Sequence, residues 1–324
     1  MIKNFRYFIL SSIILFSSCA ASNDIYFNDG GSLVFINGKF EDSVIKNTVK
    51  HTVENSSIII AQVPWSPDDT SFFENTAWYF SLAKDHGKKF MIAIDWQNID
   101  RSGTRGDWSF ANQETARLFK RDMLKLLHAY NPDFMNLGVE VNYYALTSSK
   151  GFLSFAKVFR EIKEDLKHLK PNLKVGLSYQ LELLYGHHYE WNETRTLATL
   201  DNLIGDIDYL GVSTYPNMVS KINQSDVLFS MKYLDTLSNK YKLPIGISET
   251  AVSSMLYDDK KREVYVYNLF QKARDLNLKF VFWGSMIDAS RDSIWFDKIG
   301  LLNKEGQPKK EFNLWKNGII NYCK

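Results

Sequence analysis

The run SIIIAQVPW, Ser57 to Trp65, constrains the fold more than any other stretch. It is apolar almost without interruption, so as a strand it must be covered on both faces, which suits a parallel sheet under helices and not a half-solvated antiparallel one. Similar runs recur as KFMIAIDW (Lys89 to Trp96), Phe134 to Glu140, Lys174 to Gln180, Ile207 to Tyr215, PIGISE (Pro244 to Glu249) and Lys279 to Ser285, with the shorter SLVFIN (Ser32 to Asn37) before them all. Helical patterns separate them. Glu41 to Glu54 carries Val44, Ile45, Val49 and Val53, and Ser71 to His86 stops at Gly87. Asn112 can cap a helix with Ala116, Phe119, Met123, Leu126 and Tyr130 on one face. Phe152 to Leu169 buries Phe155, Val158, Phe159, Ile162 and Leu166 before Pro171. Glu193 to Ile204, Ser225 to Tyr241, Asp259 to Leu276 and Pro308 to Ile320 complete the series. Eight strands, each followed by a helix, predict an α/β fold, a single (β/α)8 TIM barrel over residues 32–324 with no second domain. A doubly wound open sheet is the alternative, but neither a G-x-G-x-x-G nor a Walker turn is present.

The first 18 residues stand apart. Lys3 and Arg6 precede the apolar run Tyr7 to Phe16 and the small residues Ser17, Ser18 and Cys19, the pattern of an export signal. About ten apolar residues are too few for a permanent membrane span. FSSC resembles a bacterial lipobox, which implies lipidation of Cys19, a linker over 19–31, and a lipoprotein tethered in the periplasm or at the cell surface; a plain cleaved signal is the alternative. The only other cysteine is Cys323, so lipidation of Cys19 would leave no pair for an internal disulfide. Residues 1–18 hold two of the 39 basic residues and none of the 37 acidic ones, which leaves the remainder formally neutral. Nucleic acid is therefore not an expected partner, and a monomer is expected.

Two strand-like runs end on a carboxylate: Glu140 in FMNLGVEVNYY and Glu249 in PIGISET, 109 residues apart. That separation suits the fourth and seventh strands of a barrel, whose functional side chains gather at the C-terminal strand ends. Two carboxylates facing one cleft are the equipment of glycoside hydrolysis: a carboxylic acid protonates the departing oxygen and a carboxylate about 5 to 5.5 Å away attacks the anomeric carbon. The alternative is that each glutamate makes a buried ion pair at its strand end.

With these residues the chain resembles the clan A glycoside hydrolases, which place a glutamate after strand 4 and another after strand 7. The resemblance implies Glu140 as acid/base, Glu249 as nucleophile, Tyr215 beside the nucleophile and Trp283 under the sugar, and it extends to the tail GLLNKEGQPKKEF. Within the clan, GKKFMIAIDWQNID followed by PDFMNLGVEVN is most similar to the family 53 endo-β-1,4-galactanases. Two features depart from the clan pattern. Val139 stands where the clan has an Asn that binds the sugar 2-hydroxyl, and strand 2 lacks the arginine usually held against the nucleophile.

Further candidates to line sugar subsites are Asp95, Trp96, Trp65, Gln180 and Asn142, with Trp108 in the long polar loop Gln97 to Ala111. Glu182, just past strand 5, is a competing carboxylate. His187 and His188 are adjacent, so in an extended segment they point apart and do not chelate; no metal motif and no cofactor motif occurs. GISET lacks the second glycine of a serine-hydrolase elbow. The expected function is retaining hydrolysis of a β-linked polysaccharide or oligosaccharide, galactan- or mannan-like, without a cofactor. The alternative is a non-catalytic carbohydrate-binding lipoprotein on the same barrel.

Overall fold

A computed structural model describes residues 29–34, 38–106, 108–191, 193–219 and 225–322. Residues 1–28, which hold the expected export signal and Cys19, together with Asn37, Asp107 and Cys323, lie outside the described residues. The strands are β1 (Asp29–Ser32), β2 (Ile58–Pro64), β3 (Lys89–Asp95), β4 (Phe134–Asn136), β5 (Lys174–Gln180), β6 (Tyr209–Thr214), β7 (Ile245–Thr250) and β8 (Phe280–Trp283). The helices are α1 (Asp42–Glu54), α2 (Ser71–Asp85), α3 (Gln113–Tyr130), α4 (Val141–Thr147), α5 (Ser149–Leu169), α6 (Leu181–Leu184), α7 (Leu197–Asp201), α8 (Met231–Lys240), α9 (Asp259–Asp275) and α10 (Phe312–Tyr322). None of the described helices is long and apolar enough to cross a membrane.

All eight strands are parallel, in the order β1-β8-β7-β6-β5-β4-β3-β2. The two end strands meet through Ser57 N–H donating to Gly30 O at 2.9 Å and Gly30 N–H donating to Ser57 Oγ at 2.9 Å, so the sheet is a nearly closed barrel. Gly31 permits that approach, because a Cβ there would lie 2.6 Å from Ser56 Oγ. This is a (β/α)8 barrel, as the alternation predicts. The first strand differs from expectation: it runs over Asp29–Ser32, so of the expected run from Ser32 to Asn37 only Ser32 lies in it, Leu33 and Val34 follow its end, and residues 35–37 lie outside the described residues. The Gly30-Gly31 pair, which reads as a strand breaker, is what lets the seam form.

Strand alternation sorts the core into two layers. Leu33, Ile58, Ile60, Met91, Ala93, Phe134, Val139, Tyr209, Phe280 and Phe282 form a cluster of their own inside the barrel. The opposite-parity residues, such as Ile59, Ile92, Val281 and Trp283, join the larger core between strands and helices. Packing the interior with side chains seals one end, so chemistry is confined to the C-terminal strand ends.

Helix ends follow local rules. The Asn112 side chain accepts from Glu114 N–H at 2.8 Å to start α3, which ends at Asn131 with φ 44°. Asp258 caps α9 through Lys261 N–H at 2.8 Å. The fourth strand is shorter than its apolar run suggests: the ladder stops at Asn136, and the chain turns at Glu140 into the additional helix α4. The helix expected over Glu193 to Ile204 shrinks to α7, and the one expected from Ser225 begins at Met231.

Candidate active site

Glu249 reaches the barrel mouth through a bulge. The β6–β7 register pairs Val212 with Ile247 and then Ser213 with Glu249, skipping Ser248. Ile245 and Ile247 pack in the helix-facing core, so strict alternation would send Glu249 outward as well. The extra residue resets the phase and puts Glu249 on the side of Ser213, a use of bulges common near active sites.

Glu140 is aimed by a different device. Its backbone sits at φ 52°, a left-handed conformation that costs a non-glycine residue roughly 1–3 kcal/mol and persists only when neighbours hold it. Those neighbours are visible. Its N–H donates to Ser178 Oγ of β5 at 3.1 Å, and Gln97 Nε2 donates to the carbonyls of Val139 and Glu140 at 2.7 and 3.1 Å.

Both carboxylates are almost enclosed, at 4% and 6% exposure for Glu140 and Glu249. Burial pushes the Glu249 carboxyl up to about 8; the charge of Glu140 adds to the rise, while the Tyr215 hydrogen bond and Arg101 oppose it. Burial also raises Glu140, against the pull of Arg101 and with a further push from Asp95. Tyr215 donates its hydroxyl to Glu249 Oε1. Arg101, in the loop after β3, donates from Nε to Glu140 Oε2 at 2.9 Å and from Nη1 to Asp95 Oδ1 at 2.7 Å. Glu140, Glu249, Tyr215, Asp95 and Arg101 therefore form one charged cluster at the C-terminal strand ends.

Other sequence candidates lie elsewhere. Trp283 follows Phe280 and Phe282 in alternation and faces outward: its ring lies 5.4 Å from Trp315 and 6.4 Å from Tyr265, and its Nε1 donates to Ile299 O at 2.7 Å. It is a brace of the helix layer and not a platform under a sugar. Trp65 and Trp96 are fully buried, with Nε1 donating to Asp122 Oδ2 and Leu137 O at 3.2 and 3.0 Å. Their rings enclose Trp108 and Phe110, which anchors the long loop. Asn142 and Gln180 are also fully buried. Asn142 Nδ2 donates to Gln180 O and Thr196 Oγ1 at 3.0 and 3.1 Å, so it staples α4 to β5 and has no hydrogen left for a ligand. Gln180 Nε2 donates to Glu182 Oε2 at 2.5 Å. Glu182 in turn accepts from Thr214 Oγ1 at 2.7 Å and from Tyr215 N–H at 3.1 Å, which makes it the buried support beneath Tyr215.

His188 shares a hydrogen bond of 2.9 Å with Tyr143 through Nε2 and accepts from Glu190 N–H through Nδ1, and His187 pairs with Tyr233. Among the described residues no group of three His, Cys, Asp or Glu could hold a metal ion. A concavity of about 430 Å³ lies at the opposite end of the barrel, between Tyr241, Lys242, Pro244, Asn277 and Lys279. It lacks a carboxylate among its lining residues and is remote from the glutamates.

Three residues in or beside the charged cluster have little to mark them in the sequence. Arg101 gave no signal beyond a cation in a long loop near Asp95. Trp295 and Phe296, half-buried in the segment after β8, place their rings 5.8 and 6.2 Å from Tyr215 and are the aromatic groups beside Glu249's partner.

No family model matches the chain, and no curated protein matches it. Solved structures do. An exo-β-1,4-mannosidase from an Opitutaceae bacterium superposes with a TM-score of 0.66 at 12% identity, covering 92% of this chain and 60% of that one. A family 39 glycoside hydrolase from Bacteroides cellulosilyticus gives 0.63 at 14% identity, with 92% and 64% covered. A β-glucuronidase from Ruminococcus gnavus gives 0.61 at 10% identity, with 91% and 50% covered. The chain spans between half and two thirds of these neighbours' lengths. At such identities the likeness establishes the barrel fold, and the neighbours on it are glycoside hydrolases.

Proposed function

We propose that the chain is a retaining glycoside hydrolase acting on a β-linked polysaccharide or oligosaccharide, with Glu140 as acid/base and Glu249 as nucleophile. The observation that carries this reading is the convergence of two nearly enclosed carboxylates from the ends of β4 and β7, each delivered by a local irregularity, the left-handed Glu140 and the Ser248 bulge. A structural ion pair would not need a second carboxylate close enough to raise the first. In this reading Glu140 protonates the leaving oxygen while Glu249 attacks the anomeric carbon, and Glu140, now ionised, removes a proton from the water that hydrolyses the glycosyl-enzyme. Tyr215 stabilises the Glu249 carboxylate, and Trp295 supplies the stacking surface that Trp283 does not. A galactan-like polymer is what the resemblance to the family 53 galactanases implies, and a mannan-like one is kept beside it because an exo-β-1,4-mannosidase is among the structures that share this barrel. Export and anchoring through Cys19 complete the proposal, with products released close to the cell; one acyl chain alone holds a membrane only marginally.

A non-catalytic carbohydrate-binding role is the second reading. Val139 favours it: the side chain belongs to the apolar plug inside the barrel, so the position offers no polar group to a sugar 2-hydroxyl. Reducing-sugar release by protein beginning after Cys19, on β-galactan, mannan, xylan and glucan, with Glu249→Ala as control, separates the two. Release lost in the variant supports hydrolysis; binding without release from any polymer supports the second reading.

A further inference from the structure

The cluster holds a contradiction for a retaining mechanism. Before substrate binds, the acid/base must own a proton and the nucleophile must not. Here a guanidinium bonds directly to the acid/base candidate, and the enclosed nucleophile candidate has a tyrosine hydroxyl as its hydrogen-bonded partner. Arg101 is not loosely placed. Its backbone is left-handed at φ 59°, its N–H donates to Asn98 O at 2.9 Å, and the loop around it is closed by the Gln97–Thr104 bridge and by Arg105 Nε donating to Asp95 O at 3.1 Å. Arg101 also has two carboxylates to choose between, since Nη1 reaches Asp95 while Nε reaches Glu140. That fork makes exchange possible without leaving a buried cation unpaired, a strongly unfavourable state.

We propose that Arg101 is a positioning residue that decides which of the two glutamates carries the proton they share: engaged with Glu140 it keeps that side chain a carboxylate and leaves the proton on Glu249, and withdrawn onto Asp95 it lets the proton pass to Glu140. A sugar entering beside Glu140 supplies the hydroxyl groups that displace the guanidinium. The exchange conserves charge and protons: Glu249 gives up one proton, Glu140 gains one, and Arg101 stays cationic with Asp95 as its counter-ion. The inference rests on the glycosidase reading for its purpose, but not for its observation in the ligand-free chain.

Among the described residues, few titratable or charged groups face the pair. Asp95 and Arg101 approach from β3 and its loop, Tyr143 from α4, and Tyr215 from the end of β6, with Glu182 behind Tyr143 and Tyr215. Burial holds both tyrosine hydroxyls protonated well beyond neutral pH, so neither competes for the proton; Tyr215 donates to Glu249, while the Tyr143 hydroxyl is taken up by His188 and Met218. Asp95 and Arg101 act on Glu140 in opposite directions.

The test is a titration of carboxyl carbons by NMR in protein labelled at glutamate, with Glu140→Gln and Glu249→Gln assigning the two resonances. In the ligand-free wild type the Glu249 resonance should titrate at higher pH than that of Glu140. Arg101→Gln should raise the proton affinity of Glu140 at least tenfold, Asp95→Asn should lower it, and Arg101→Lys should stay near the wild type. A loop merely loosened by substitution would move Arg101→Gln and Asp95→Asn the same way. If hydrolysis is observed, its alkaline limb should move to higher pH in Arg101→Gln. An unchanged Glu140 titration in Arg101→Gln, or a wild type in which Glu140 holds the proton more tightly than Glu249, overturns the proposal. Should Arg101→Gln fail to fold, the opposite-direction shift in Asp95→Asn still decides it. Because these titrations need no turnover, an inactive protein with the expected order refutes the glycosidase reading and spares Arg101, while an active one with the reverse order does the opposite.

Discussion

Replacing Glu249 by Gln should stabilise the protein, and increasingly so as pH rises. Burial pushes the native carboxyl up to about 8, against an ordinary value of 4.5. Between those values the folded chain retains a proton that the unfolded chain has released, so the unfolded state binds fewer protons and stability falls with rising pH until the native group ionises. At about 1.4 kcal/mol for each tenfold change in proton affinity, the whole interval amounts to roughly 5 kcal/mol as an upper bound. Glu140 and Glu249 are buried side by side and titrate as a pair, so part of that interval belongs to Glu140, and roughly half of it, about 2–3 kcal/mol, is expected from Glu249 by pH 8. Gln keeps the shape and still accepts from the Tyr215 hydroxyl, but it never has to ionise. Thermal or urea unfolding of wild type and Glu249→Gln from pH 4 to 9 should give curves that coincide near pH 4 and separate through pH 8, by about 2 °C for each kcal/mol in a chain of this size. Parallel curves across that range would refute the reasoning, since they would mean that Glu249 ionises in the native protein as readily as in the unfolded one.

Three further outcomes follow from the same geometry. Tyr215→Phe removes a hydroxyl that favours the Glu249 carboxylate, so the acid limb of any hydrolytic pH profile should move to higher pH, as the nucleophile becomes harder to ionise. Trp283→Ala should cost about 3–5 kcal/mol in denaturant unfolding because it empties the space between β8, α9 and α10, yet sugar binding by the folded fraction should be unchanged. Trp295→Ala should do the reverse, with little loss of stability and about 1 kcal/mol, or roughly fivefold, weaker oligosaccharide binding by calorimetry.

Much of the barrel is legible in the chain because its strands are buried on both faces and its helices are periodic; β5 matches its apolar run residue for residue. The site is legible only in part, and the alternation rule shows why. Applied to KFVFW, it puts Phe280 and Phe282 inside and Trp283 outside, as observed. Applied to PIGISE, it would have turned Glu249 toward the helices. The bulge at Ser248 reverses that outcome, and no residue type in the stretch announces it. The turn at Glu140 is hidden in the same way: LGVEV reads as continuing strand, but Ser178 of β5 and Gln97 of the loop after β3 fix a left-handed residue there. Arg101 depends on the path of a long loop folded around Trp108, which no local pattern encodes. Trp65, Trp96, Gln180 and Asn142 were attractive as polar or aromatic residues at strand ends. Each is instead spent on holding the loops that carry Arg101, Glu140 and Tyr215.

The central claim is that Glu140 and Glu249 act together in a double displacement. Proton NMR of the anomeric region during the first minutes of hydrolysis, on β-galactan and β-mannan oligosaccharides, tests it most directly. The account predicts that the β-anomer of the product appears first and mutarotates afterwards, and that neither Glu140→Gln nor Glu249→Gln produces the signal. First appearance of the α-anomer would mean inversion, and product formed by either variant at the wild-type rate would remove that glutamate from the chemistry; both would contradict the account.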